Sequence, residues 1–245
     1  NEKIRSGKFH EVITAAEAAY FEDVENAANL ILQRKDEIRM VFVVGPSSSG
    51  KTTTTTIIGE HLARQGFKLK TLNIDHYFFD LELHPKDEFG DYDFETPQAL
   101  NLALINQHLV ELFAGKEVLI PFYDFKTGKS HPNHTPMHLE EHEIVLIDSL
   151  HGLHPEMTAD IDDALKFKLY IEPLLQLKDS LGHYARWTDI RLMRRMLRDA
   201  SFRAYDPLQT LLHWHYVRSS ELRHIIPYCT TADTVVNSGM PYELP

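Results

Sequence analysis

Apolar positions along the chain switch between two rhythms. Between Glu11 and Arg34, the residues Ala15, Ala18, Ala19, Val24, Ala27, Ala28, Leu30 and Ile31 recur at mostly helical spacing among acids and amides, which predicts one or two amphipathic helices. Met40 to Val44 is instead a short, β-branched apolar run that ends in glycine, the pattern of a parallel strand buried on both faces. A helix is expected next from Lys51 to Gln65, with Gly66 as its C-cap. Leu69 to Ile74 reads as a second strand, followed by an acidic, aromatic loop to Thr96 and a helix from Pro97 to Ala114 with proline in its first turn. Val118 to Phe125, followed by Lys126-Thr127-Gly128-Lys129, reads as a hairpin attached to the sheet rather than part of it, its partner strand near Thr135 to Leu139. Glu143 to Ile147, Phe167 to Ile171 and Thr234 to Asn237 supply further strands, and Asp189 to Ala200 and Pro207 to His224 two late helices. Strand and helix alternate, which predicts an α/β fold with a parallel sheet between layers of helices.

Composition adds limits. The chain has 245 residues, 43% of them hydrophobic, and no linker rich in Gly, Ser or Pro divides it, so one domain is expected. Lys plus Arg number 25 against 36 Asp plus Glu, a formal charge of −11. That balance argues against a broad electrostatic grip on nucleic acid or on an anionic membrane. No apolar run approaches the roughly 20 residues needed to span a bilayer, and the chain reads as soluble and cytoplasmic. Cys229 is the only cysteine, which leaves no internal disulfide, no Cys-based zinc site and no CxxC redox centre. The chain starts at Asn1 without a Met and stops abruptly after Pro241 to Pro245, so it is expected to be a piece of a longer protein.

The chemistry concentrates at a few places. Gly45-Pro46-Ser47-Ser48-Ser49-Gly50-Lys51-Thr52 matches G-x-x-x-x-G-K-[ST] between an expected strand and an expected helix. Glycines there let successive N–H groups point at phosphate oxygens, helped by the positive end of the helix. Lys51 would meet the β and γ phosphates, and the Thr52 hydroxyl would ligate Mg²⁺. The plainer alternative is a Gly/Ser turn before a helix. Ligands of open parallel sheets sit beyond the carboxyl ends of the strands, where Asp148 closes Ile144-Val145-Leu146-Ile147 and Asp75 closes Leu72-Asn73-Ile74. Asp148 has the position of an acid that holds Mg²⁺, and Asp75 of a base that takes the proton of an attacking hydroxyl; capping is the alternative for each. Arg191, Arg194, Arg195 and Arg198 fall on one helical face, with Arg203 after them. Asp189 and Asp199 offset only part of that charge, so the stripe reads as a lid closing over ATP phosphates, a solvated basic face being the alternative.

Five segments, Gly45 to Thr52, Ile74-Asp75-His76-Tyr77-Phe78, Asp91-Tyr92-Asp93-Phe94-Glu95, Ile120 to Gly128 and Arg191 to Arg203, together resemble the uridine kinase and phosphoribulokinase family in order and spacing. Within it, the chain resembles bacterial uridine-kinase-like proteins that carry a threonyl-tRNA-synthetase-like N-terminal region, which is absent here. The resemblance implies a three-layer P-loop nucleoside triphosphate hydrolase fold. Residues 1–38 would form an N-terminal helical extension and 39–245 the kinase domain, with a hairpin insertion at 116–142 and an Arg-rich lid at 178–205. It further implies ATP and Mg²⁺, with transfer of the γ phosphoryl to the 5′-hydroxyl of a pyrimidine nucleoside. Carried over by motif position, Gly45, Ser47, Ser48, Ser49, Gly50, Lys51, Thr52, Thr53 and Arg198 would bind ATP, and Thr52 and Asp148 the metal. Asp75, Lys51, Arg195 and Arg198 would be catalytic. Asp75, Tyr77, Glu95, Tyr123 and Arg195 would face the acceptor.

Some positions depart from the family pattern. Pyrimidine-specific members carry a histidine where Gly128 stands, Glu-Gly is usual where Asp148-Ser149 ends the third strand, and Asp-Asp-Tyr becomes Asp75-His76-Tyr77. Among the fifteen histidines, His131, His134, His138 and His142 mimic helical ligand spacing, but Pro132 and Pro136 break any helix, and loop histidines are the preferred reading over a zinc site. His151 and His154 are open to a role in holding substrate or in a turn. The expected partner is a small molecule, with no nucleic acid and no membrane, and a homo-oligomer is left open. A kinase for another hydroxylated metabolite such as a sugar phosphate, or a non-catalytic ATP-binding regulatory module, stands as the alternative.

Overall fold

The computed structural model describes residues 2–86, 90, 92–178, 181–202 and 206–243. Helices α1 (Glu2–Arg5) and α2 (Phe9–Gln33) precede β1 (Met40–Val44), α3 (Lys51–Arg64), β2 (Lys68–Asn73), α4 (Leu102–Phe113), β3 (Val118–Asp124) and β4 (Lys129–Met137). They are followed by β5 (Glu143–Ser149), β6 (Lys166–Glu172), α5 (Trp187–Phe202), α6 (Pro207–His224) and β7 (Thr234–Asn237). One five-stranded sheet has the order β2-β5-β1-β6-β7, with every neighbouring pair parallel.

Strand β1 lies at the centre and is buried along its whole length, which is why it reads as an unbroken apolar run. Its alternate side chains divide between two cores. Met40, Phe42 and Val44 pack with Ile105 and Leu109 of α4, Val118 and Ile120 of β3, and Leu153 and Met157 after β5. Val41 and Val43 face the other way, onto Ile58 and Leu62 of α3 and Val24, Ala27 and Ile31 of α2. Helix α2 is therefore packed into the same core as the sheet. Asp23 also accepts a hydrogen bond from the Asn237 amide of β7 at 3.2 Å.

The threonine run inside α3 is poor helix sequence, because β-branched residues lose side-chain freedom there. Tertiary and local bonds offset this. Thr52 Oγ1 reaches Asp148, Thr54 Oγ1 shares a 2.7 Å hydrogen bond with Tyr20 of α2, and Thr55 and Thr56 donate back to the carbonyls of Lys51 and Thr52.

Two elements differ from expectation. The helix expected from Pro97 to Ala114 is divided: Pro97–Ala99 makes one 3-10 turn, Leu100 is extended, and α4 begins only after Asn101. The Asn101 side chain accepts from the Leu104 amide at 3.1 Å, so a capping residue inside an apolar run restarts the helix. The partner of β3 overlaps the expected segment at Thr135 to Met137 but begins earlier: β4 runs from Lys129 to Met137, paired from Val118↔Met137 to Asp124↔Lys129 as a separate two-stranded sheet. Pro132 and Pro136 fit β4 because a two-stranded ribbon leaves one side of each strand without a ladder partner.

Candidate active site

Three neighbouring strands end at one place. Register pairs Asp148 of β5 with Val43 of β1 on one side and with Asn73 of β2 on the other. The phosphate loop leaves β1 at Gly45, and Asp75 follows β2, so lysine, threonine and two carboxylates gather at the carboxyl edge of the sheet.

Gly45 cannot carry a side chain: a Cβ there would sit 2.1 Å from the carbonyl oxygen of Ile171 in β6. Ser48 and Gly50 adopt positive φ, 60° and 99°, a conformation uncommon for a residue such as serine. No side chain caps α3, so its first-turn amides are left to an incoming anion. Lys51 Nζ donates to the Pro46 carbonyl at 3.2 Å, folding across the loop. Burial lowers the Lys51 pKa; the carboxylates of Asp148, Asp75 and Glu95 oppose that shift, and Arg198 adds to it. The lysine thus lies within electrostatic reach of all four groups. Thr53, two positions after the lysine, is exposed on α3.

Thr52 Oγ1 donates to Asp148 Oδ2 at 2.8 Å. A hydroxyl and a carboxylate side by side fit Mg²⁺, which prefers oxygen and completes its shell with phosphate and water. No group of three or more His, Cys, Asp or Glu able to hold a metal occurs among the described residues. Ser149 is buried and its hydroxyl accepts from the His151 amide at 3.2 Å, tying down the turn after the acid.

Asp75 is placed by a 3-10 turn, Ile74–Tyr77, so β2 ends one residue earlier than expected. Its amide is bonded by the Asn73 side chain at 3.0 Å. With three residues per turn, Ile74 and Tyr77 share the core side and Asp75 is turned out to solvent. Tyr77, expected to face the acceptor, is 1% exposed, its hydroxyl is bonded to His108 Nδ1 at 3.0 Å, and burial pushes its pKa up.

Tyr123 is also buried, but in an aromatic cluster with Phe78, His84, Phe94 and Phe125. Its hydroxyl has no hydrogen-bond partner, and neither has His84 Nδ1. His84 Nε2 lies 2.9 Å from the Phe79 carbonyl and must carry the proton there, which leaves Nδ1 as a bare acceptor. His84 is not among the residues that motif or spacing singles out, being one of two histidines in the acidic, aromatic loop. Gly128 has φ 69°, and a Cβ there would meet Leu81 Cβ at 2.9 Å, so the hairpin turn leaves no room for a side chain at this departure from the family pattern.

The arginine stripe is not the phosphate-facing row that its spacing suggested. Arg191 is fully buried between Glu172 and Glu221, and Arg194 is held by Glu243 and the Ser238 carbonyl. Arg195 donates to Ser47 Oγ at 3.0 Å and to Glu95 Oε1 at 3.4 Å, and Arg198 to Asp199 at 2.9 Å. Carboxylates distant in sequence therefore neutralise much of the row. Arg203 and Asp91 lie outside the described residues. His131 and His134 lie on exposed β4, and their rings face Phe122. His151 is buried beside His224, with the Glu95 backbone near its ring.

A central parallel sheet, a glycine-bordered phosphate loop and an acid on each neighbouring strand end define a P-loop kinase fold. The chain belongs to the Phosphoribulokinase / Uridine kinase family, phosphotransferases that act on a hydroxyl group; the family's model matches residues 40–244. Uridine kinase of Schizosaccharomyces pombe is 26% identical over 211 residues, covering 85% of this chain and 42% of that protein. Uridine kinase of Deinococcus deserti is 26% identical over 202 residues, covering 82% of this chain and 87% of that protein. The chain thus spans less than half of the yeast protein and most of the bacterial one. D-glycerate 3-kinase from Cryptococcus neoformans shares the fold with a TM-score of 0.55 at 14% identity, over 82% of this chain and 87% of that one. Among the described residues no helix is long and apolar enough to cross a membrane.

Proposed function

We propose that the chain transfers the γ-phosphoryl group of ATP to the 5′-hydroxyl of a nucleoside of the uridine or cytidine type. The observation that carries the reading is the convergence at one sheet edge of Lys51, the Thr52–Asp148 pair and Asp75. Amides of Ser47 to Thr53 would cradle the triphosphate and Lys51 would balance charge on its β and γ groups. Thr52 and Asp148 would hold Mg²⁺, which when bound neutralises phosphate charge.

Asp75 stands exposed at the same edge and would accept the proton of the attacking hydroxyl. Arg195 and Arg198 would exchange a carboxylate partner for phosphate charge as it spreads in the transition state. The nucleoside part of the reading is supported by the aromatic cluster. A flat base suits rings such as Phe94 and Phe125, and a ring N–H beside a carbonyl would satisfy His84 Nδ1 and the Tyr123 hydroxyl together.

A second acceptor class, a hydroxylated acid or sugar phosphate, is favoured by one observation, the lack of space for any side chain at Gly128. A panel read by ADP release with Mg·ATP separates the two. Turnover with uridine or cytidine is the expected result; turnover with a sugar phosphate and none with any nucleoside would replace the nucleoside reading.

A further inference from the structure

Arg191 is absent from the chemistry above, yet it is the largest fully buried side chain among the described residues. Its Nη2 meets Glu221 Oε1 of α6 at 2.5 Å, its Nε lies 3.6 Å from Glu172 Oε1 at the end of β6, and its guanidinium stands 5.6 Å above the Trp214 ring. Glu172 is fixed in turn by the Tyr170 hydroxyl at 2.7 Å and Trp187 Nε1 at 3.1 Å. Holding α5 against α6 does not require this. Buried ion pairs gain little over well-packed apolar residues, because desolvation offsets the attraction. What an apolar residue cannot supply is the remaining contact, from Arg191 Nη1 to the carbonyl oxygen of Ser47 at 3.1 Å.

That carbonyl belongs to the same peptide unit as the Ser48 amide. In a planar trans peptide the C=O and N–H point in opposite directions, so drawing the Ser47 oxygen towards α5 aims the Ser48 N–H away from it. Ser48 then takes its positive φ of 60°. One turn along α5, Arg195 holds the Ser47 hydroxyl, so the residue is gripped at both backbone and side chain. The neighbour of Glu221 on α6, Ser220, donates to the Glu95 carbonyl, while Arg195 reaches the Glu95 carboxylate.

We propose that Arg191 is a positioning residue that orients the Ser47–Ser48 peptide for phosphate, and that the α5–α6 pair thereby ties the phosphate loop to the loop carrying Glu95. The inference rests on reading Gly45 to Thr52 as a nucleotide site. The base of α5 is then an anchor, and lid movement is confined to the part of the helix beyond Arg195.

Arg191→Lys separates positioning from stability. Lysine keeps the positive charge between the two glutamates, but its single nitrogen cannot bond Glu221 and Ser47 with the geometry of a guanidinium fork. Thermal unfolding and calorimetry with Mg·ATP are measured on parent and variant. The expected result is an unfolding temperature near the parent's with ATP bound about tenfold more weakly, while the KM of the acceptor moves less. A folded variant that binds ATP as the parent does overturns the proposal. If the lysine variant does not fold, Glu221→Gln, which keeps the shape and an acceptor oxygen, is expected to weaken ATP binding about threefold or more, and unchanged affinity there overturns it equally. A parent that binds no ATP overturns the nucleotide-site reading and the inference with it; equal binding by parent and folded variants overturns the inference alone.

Discussion

Gly128 shows how one residue can carry both a structural and a functional consequence. Its amide donates to the Asp124 carbonyl and its own carbonyl accepts from the Leu81 amide, both at 2.8 Å, so the hairpin turn is fastened to the loop after Asp75. With φ 69° and Leu81 against the missing side chain, Gly128→Ala is expected to lower stability by about 1–2 kcal/mol, a fall in unfolding temperature of about 2–8 °C. Differential scanning calorimetry checks this; an unchanged transition would mean that the turn tolerates a side chain. The phosphate loop was legible at this scale because its signal is local. The motif is written in eight consecutive residues between a strand and a helix, and no distant partner is needed to recognise it. The burial of Tyr77 was not legible, since its side chain turns with a 3-10 step that sequence spacing does not announce.

At the level of elements, the strands were legible wherever burial on both faces wrote an unbroken apolar run, as in β1 and β5. Only the Thr135 to Met137 end of β4 was legible, because Lys129 to Met137 carries hydrophilic residues and two prolines, and its pairing with β3 is set by the turn rather than by apolar alternation. Helix α5 gives the opposite lesson. Its arginine spacing was plain, but its partners Glu95, Glu172, Glu221 and Glu243 lie on four other segments, and only the folded chain brings them together. A row that read as a lid over phosphates is mostly an internal clamp, and the proposed phosphate contacts fall to Arg195 and Arg198.

Six histidines across the molecule, of which His84, His108 and His151 are buried, are biased towards the neutral form. Burial lowers the pKa of His76, His84, His108, His154 and His224, and takes His151 down to about 3. Unfolded, each of these side chains takes up a proton near about pH 6.5. Below that pH the unfolded chain binds more protons than the folded one, so this stability is complete above it and is lost as pH falls towards the folded values. The urea midpoint is expected to drop steadily from pH 6.5 downward, with His151 adding at most about 1.4 kcal/mol per pH unit and the partly exposed histidines less because solvent screens them. His151→Phe should make the fall shallower; an equal slope in the variant would show that His151 is not held neutral.

Central to the proposed reaction is a carboxylate following β2 that faces the end of a nucleotide held after β1. Turnover with Mg·ATP and uridine, with ATP affinity measured on the same samples, tests this in the parent and in Asp75→Asn. The account predicts that the variant loses at least about a hundredfold in kcat while binding ATP within about threefold of the parent. Equal turnover in the two proteins would contradict it.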